Sequence, residues 1–289
     1  MAVGDLITTD WQMEFRDLLM GGTTDYNILQ IDGLLDLPDI VSADQGRLRR
    51  HGLRAGDDFL AGRSVVVTME VYSATEAGYT SAIQSLKEAL RPGVAEVPLV
   101  FQLPSVAGGA KFRVDARVRR VSWPVTLNHF FRKDEITVEF YSTDPRLYAN
   151  ALSTETATLP TAGGGLTFDA TPDFSFGATS TGGELSLDND GAWQTPVVFR
   201  IDGPVQTPRI IHNGLGLELE LDLTVATGDY ILLDSESRTV LLNGTASRYS
   251  SLTSDSRWFD LEPGVNQISF RGATTAAGSL SATWRSAWV

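Results

Sequence analysis

Residues 136–150, ITVEFYSTDPRLYAN, carry the sharpest change in the hydrophobic pattern of this chain. Ile136, Val138 and Phe140 alternate with Thr137, Glu139 and Tyr141, the period of two that puts alternate side chains on one face of a strand. The alternation ends at Asp144-Pro145, where proline brings no N–H to a ladder and drives the preceding residue out of helical backbone. The chain before this point is charged and contains one helical period. The chain after it is rich in Gly, Thr and Ser and reads as strands only. The pattern predicts two domains, residues 1–150 and 151–289, with 140–148 as the hinge.

In the first part, residues 5–9 and 11–19 read as short strands, followed by a turn at Gly21-Gly22. Tyr26, Ile28 and Ile31 mark another strand, ended by Asp32-Gly33, and 37–41 is a short extended piece around Pro38. Residues 64–72 place Val65, Val67, Met69 and Val71 on one strand face. A helix follows. Ser73 and Glu76 have the spacing of a capping box, Tyr79, Ile83, Leu86 and Leu90 form an apolar stripe, and Arg91-Pro92-Gly93 ends it. Residues 97–103 and 112–121 predict a hairpin around Gly108-Gly109. Phe112, Val114, Ala116 and Val118 point inward, and Lys111, Arg113, Arg117 and Arg119 point outward with Asp115 among them. Trp123-Pro124 and a polar turn lead on to the strand at 136. This is an α+β pattern.

The second part has short strands at 197–201, 217–223, 230–234, 239–242, 266–271 and 280–286, with reversals at Gly203-Pro204, Asn243-Gly244 and Pro263-Gly264. Leu217, Leu219, Leu221 and Leu223 face in while Glu218, Glu220 and Asp222 face out. Evenly spaced short strands with turn residues between them predict a β-sandwich.

Composition narrows the function. The chain of 289 residues is 42% hydrophobic, enough for two cores, and carries a net charge of −13. Residues 1–150 hold 16 basic and 20 acidic residues, and 151–289 hold 7 and 16. Such a balance disfavours wrapping nucleic acid but suits a surface that DNA must pass without sticking. With no cysteine there are no disulfides, thiolate zinc ligands or thiol nucleophiles. No apolar run is long enough to span a membrane. The N-terminus lacks the basic-then-apolar pattern of a secretory signal, so synthesis in a cytoplasm is expected.

No motif commits the chain to catalysis. Asp188-Asn189-Asp190-Gly191 resembles the start of a calcium loop, but Trp193, Thr195 and Pro196 follow where further oxygen ligands are needed, so it reads as a hairpin turn. His51, His129 and His212 have no metal-ligand spacing. There is no G-x-S-x-G elbow and no G-K-S/T phosphate loop. Asp57-Asp58 and Glu218/Glu220 are the nearest carboxylate pairs for a hydrolase. No catalytic residue, metal ligand or cofactor is expected. Residues 43–62 have no apolar period, and Arg47, Arg49, Arg50 and Arg54 stand just before Asp57 and Asp58. They read as a solvated loop or as a protrusion that pairs with a neighbouring subunit. The stripe Lys111, Arg113, Arg117 and Arg119 is a second candidate subunit contact. Exposed tryptophans on a sandwich, Trp193 and Trp258 in particular, offer faces for stacking on sugars.

The order of features resembles a known family. RHGLRAGDDFLAGRSVVVTMEV, a helix ending ALRPG and a strand closing with FYSTDPRLYAN are similar to the front half of distal-tail (Dit-like) proteins of long-tailed bacteriophages. PVVFRIDGPVQTPRIIHNG, GDYILLDSESRTVLLNG and WFDLEPGVNQISFRG resemble their C-terminal part. The resemblance implies a mainly β chain: an N-terminal α+β belt domain, a barrel-like sheet with one helix, then a galectin-like β-sandwich. It further implies a structural, non-enzymatic hub that closes into a ring, typically a hexamer, between the tail tube protein and the baseplate or tip proteins. DNA would pass through the lumen, and the protein would be part of the virion, made in the host bacterial cytoplasm. The alternative is a carbohydrate-binding sandwich acting in host recognition.

Overall fold

The computed structural model describes residues 2–104, 109–160, 182–273 and 277–289. It divides into two compact units, Met1–Ala151 with Trp288–Val289, and Leu152–Ala287.

The first unit contains β1 (Gln12–Phe15), β2 (Leu18–Gly21), β3 (Tyr26–Asp32), β4 (Ile40–Ser42), β5 (Gln45–Gly46), β6 (Leu53–Arg54), β7 (Asp58–Leu60), β8 (Arg63–Tyr72), α1 (Glu76–Ala89), β9 (Val97–Gln102), β10 (Phe112–Ser122), β11 (Lys133–Ser142) and β12 (Leu147–Ala149). Its main sheet runs β2-β1-β9-β10-β11-β8-β3, with β12 added to β10. The indole of Trp11, just ahead of β1, donates to the Ile28 carbonyl of β3 at 2.9 Å. That bond links β3, at one end of the sheet, to the segment ahead of β1, next to its other end. The inward residues of β8, β10 and β11 share one core with Tyr79, Ala82 and Leu86 of α1.

Several local readings change. Residues 5–9 form turns, not a strand, because side chains capture their N–H groups. Glu14 accepts from Gly4 and Leu6, and Gln12 accepts from Thr8 and Thr9. Residues 11–19 hold a hairpin rather than one strand: Arg16 and Asp17, at φ 48° and 60°, make the two-residue turn between β1 and β2 whose twist matches the strands. The helix N-cap is Thr75, whose Oγ1 accepts from Gly78 N at 3.1 Å; Ser73 lies two residues too early. Gly108 of the expected hairpin lies outside the described residues. Residues 43–62 are not an irregular loop. β4 pairs with β7 and, further out, β5 pairs with β6, which makes a two-stranded arm. The polar turn before β11 contains a 3-10 helix, Leu127–Phe131, with apolar side chains in solvent.

The second unit contains β13 (Ser153–Thr158), β14 (Glu184–Asn189), β15 (Val197–Asp202), β16 (Val205–Gln206), β17 (Arg209–His212), β18 (Leu217–Glu220), β19 (Thr224–Val225), β20 (Tyr230–Asp234), β21 (Thr239–Leu242), β22 (Ala246–Ser247), β23 (Gly264–Arg271) and β24 (Ser279–Trp284). One sheet runs β13-β24-β15-β20-β21-β22 and the other β14-β23-β17-β18. Phe199, Ile231, Leu233 and Leu280 from the first meet Leu187, Ile210, Leu219 and Phe270 from the second in one core, so the unit is a β-sandwich. Asn243-Gly244 makes the β21–β22 turn with both φ angles positive. The strand at 217–223 is shorter than its leucine pattern, ending at Glu220. Asp188–Gly191 does not turn a hairpin; it carries the chain from one sheet to the other. Asn189 is buried there, accepting from Gly191 N and Ala287 N and donating to the carbonyls of Trp193 and Leu261. Its amide is committed to the backbone.

Candidate subunit-contact surfaces

The arm leaves the first unit between β3 and β8. Its root is held by Arg63, a side chain almost without solvent exposure. Arg63 Nη1 donates to the carbonyls of Gly33, Leu34 and Asp36, and Nε to that of Pro145, all within 2.8–2.9 Å. Burial lowers its pKa, partly offset by the charges of Asp36 and Asp144. Beyond this anchor, every residue of β4 to β6 is exposed. Arg47, Arg50 and Arg54 line a cleft of about 400 Å³ with Gln45, Gly46 and Leu48. Arg49, at φ 56°, turns the tip. Asp57 and Asp58 lie at the returning strand, nearer the root. Among the described residues, no guanidinium of Arg47, Arg49, Arg50 or Arg54 has a side-chain hydrogen bond or ion pair.

The stripe on β10 is different. Lys111 donates to the Gly4 carbonyl at 2.8 Å, Arg113 pairs with Asp115, and Arg119 lies over the Tyr141 ring, 3.9 Å from its centre. A bulge between Val118 and Arg120 shifts the register there. Only Arg117 keeps its charge free of partners among the described residues. The structure therefore does not gather the arm and the stripe into one site.

A surface that the sequence reading missed lies between β10 and β11. Leu127 and Phe130 of the 3-10 helix are each 78% exposed, and Val125 and Phe131 lie open beside them. This apolar knob is pinned from beneath by Asp134, whose side chain is fully buried. Asp134 Oδ2 accepts from Tyr79 OH at 2.6 Å, Trp123 Nε1 at 2.8 Å and His129 Nδ1 at 2.8 Å. Burial alone would raise the carboxyl pKa; the hydrogen bonds from Tyr79, His129 and Trp123 outweigh it and hold the group ionised below its usual range. Tyr79 is pushed up in turn by burial, then by its bond to and the charge of Asp134. Apolar residues at 127, 130 and 131 span too short a stretch for a period to reveal them.

In the sandwich, Trp258 packs partly against the core and lines a cleft of about 250 Å³ with Gln194, Arg238, Asp260 and Glu262. Trp193 is exposed but is not part of that cleft. Glu218 is engaged by Arg209, so Glu218/Glu220 is not a free carboxylate pair. Among the described residues, no three His, Asp or Glu side chains converge as a metal site, and no helix is long and apolar enough to cross a membrane.

Architecture and surfaces together define a mainly β, two-unit chain with solvent-exposed protrusions. Residues 190–288 match the family of siphovirus-type tail components, C-terminal domain. The fold is similar to that of SPP1 Dit (gp 19.1), described as a paradigm of the hub adsorption apparatus in phages that infect Gram-positive hosts: 14% identity, TM-score 0.66, over 96% of this chain and 99% of that one. A chain of the phage P2 baseplate in its activated conformation with Ca is similar at 9% identity and TM-score 0.50, over 94% and 97% of the two chains. The same baseplate with Sr matches equally, over 93% and 96%. No curated protein is similar enough in sequence to match the chain.

Proposed function

We propose that this protein is a structural hub of a long-tailed phage tail, a ring of identical subunits joining the tail tube to the baseplate or tip and leaving a lumen for DNA. The observation that carries this reading is the likeness to SPP1 Dit along both units, joined to the tail-component match of residues 190–288. The first unit is the ring-forming belt and the second a galectin-like sandwich. The protein is a virion component and catalyses no reaction. A ring needs a heterologous contact, one patch meeting a different patch on the next copy. The arm residues Arg47, Arg49, Arg50, Arg54, Asp57 and Asp58 supply one side of it, with Arg117 of the β10 stripe as the remaining free charge of that set.

Light scattering on a sizing column, followed by negative-stain microscopy, tests this. A multimer near six times 31.3 kDa with a central opening is expected. A monomer alone and in the presence of tube and tip proteins would overturn the reading. R49E/R50E is expected to weaken assembly without unfolding the chain. A second reading, sugar binding by the sandwich, has one observation in its favour: Trp258 shares a cleft with Arg238, Asp260, Glu262 and Gln194, the mixture of apolar face and polar groups that saccharides require. Glycan titration of wild type against W258A separates the two, since a hub needs no such binding.

A further inference from the structure

The ring reading names no surface for the arm to land on. We infer that the arm of one copy covers the apolar knob of the next, in a head-to-tail contact; this rests on the ring reading. The two features lie at opposite ends of the same strands. β8 and β11 run in register from Tyr72 opposite Lys133, at the knob end, to Arg63 opposite Ser142, at the arm root. Nine residue steps span about 30 Å of strand, so an arm that leaves at one end does not shield the knob at the other within one copy.

Both features are incomplete alone. A two-stranded ribbon is marginal by itself in water, and this one presents Ile40, Val41, Leu48, Leu53 and Phe59 to solvent, Leu48 being 90% exposed. The knob presents Val125, Leu127, Phe130 and Phe131. Exposed apolar clusters of this kind mark contact surfaces.

Charge supports the same pairing. Residues 45–54 contain four arginines and no carboxylate, while the rest of the chain has 19 basic and 36 acidic residues. Asp25, Glu76 and Glu135 lie at the knob end of β8, exposed, their carboxylates without hydrogen-bond or ion partners among the described residues. Asp25 is placed there by its carbonyl, which accepts from Tyr72 N. At the knob end the three carboxylates outnumber Arg132, which follows the 3-10 helix, and Lys133, which is already paired with Glu70. An arginine-rich tip facing an acidic excess, with apolar surface on both, suits a repeating one-way contact, and the rotation between copies then decides closure.

Absence of cysteine makes the test clean. L48C places a thiol on the arm and F130C one on the knob, and a short bis-maleimide joins them where they meet. The double variant L48C/F130C is expected to give a ladder of covalent multimers on a denaturing gel, and each single variant a single chain. A dimer from either single variant would show a like-with-like contact and overturn the proposal. So would a double variant that stays single-chain while light scattering shows the wild-type multimer; the ring reading would then stand. A monomeric wild type, with and without its tail partners, would remove both. As a check on chemistry, E76R/E135R is expected to restore assembly to R49E/R50E, and its failure to do so, with both proteins folded by circular dichroism, would remove the charge pairing from the contact.

Discussion

Replacing Asp134 by Asn tests whether the knob is held by a buried charge. The change preserves shape. It converts three hydrogen bonds to an ionised acceptor, from Tyr79, Trp123 and His129, into bonds to a neutral one. Bonds to charged groups contribute about 1.5–3 kcal/mol each against about 0.5–1.5 for neutral ones. Asp134 Oδ1 is buried without a partner, so an amide NH2 placed there has no acceptor, at a further cost of about 1–3 kcal/mol. Relief of the buried charge offsets part of this. A net loss of about 3 kcal/mol follows, which for a unit of this size lowers Tm by roughly 6–12 °C. The pH dependence has a definite sign. The folded pKa of Asp134 is depressed, so its stabilisation is present above the ordinary carboxyl range near 3.8 and is lost as pH falls through the lower folded value. The gap between wild type and D134N is therefore full at pH 7 and narrows in acid. Calorimetry resolves the two units, and chymotrypsin cleavage beside Phe130 and Phe131 reports the knob directly, faster in D134N. Equal Tm and equal cleavage at pH 7 would refute the argument, and so would a Y79F/D134N pair whose effects simply add.

Arg63→Met removes four donated bonds at the arm root and leaves carbonyls of Gly33, Leu34, Asp36 and Pro145 without their partner. With an unsatisfied buried acceptor costing about 1–3 kcal/mol and removal of the buried charge offsetting part, a loss of about 2–4 kcal/mol is expected in denaturant titration, and Arg63→Lys, lacking the planar fork, recovers only part. Asn189→Ala deletes two donated and two accepted bonds in the sandwich interior, with an expected cost of about 3 kcal/mol or more in the thermal transition of the second unit and none in the first. Gly191→Ala places a Cβ 1.9 Å from the Ala287 carbonyl oxygen, a backbone clash that no rotamer relieves, so the same transition is expected to fall by roughly 1–3 kcal/mol. An unchanged second transition in either variant would show that the β14–β15 crossing is not closed as described.

Alternation located β8, β10, β11 and six of the twelve described sandwich strands, because each buries one face and exposes the other, as the in-out pattern of β15 and β20 illustrates. β14 alternates as cleanly, yet the sequence reading marks no strand there. What stayed hidden depended on single side chains. Gln12 and Glu14 sit inside a strand, yet capture the N–H groups of residues 4–9, so an apolar stretch that reads as a strand is left in turns. Arg16 and Asp17 turn a tight hairpin without glycine or asparagine, the usual residues for positive φ. The arm was visible as a run of arginines, not as paired strands, since its strands are only two or three residues long and wholly exposed. The knob was least legible. Its buried anchor Asp134 gathers donors 55, 11 and 5 residues away in sequence, and no local spacing carries that information.

The arm root and the knob are built alike. In each, one buried ionised side chain collects hydrogen bonds from segments distant in sequence: Arg63 from 33–36 and 145, Asp134 from 79, 123 and 129. Burying a charge contributes little to stability unless its bonds are complete, and both groups leave one atom unsatisfied, Arg63 Nη2 and Asp134 Oδ1. An apolar residue could fill either space. What it would not do is hold several irregular backbone segments in one direction. Both charges sit where a regular strand gives way to a protrusion, and directional bonds are needed there because the protrusion has no core of its own. Precision at the base of an exposed contact surface is the property a subunit must have if identical contacts are to repeat and close, and these two buried charges supply it at the two ends of β8.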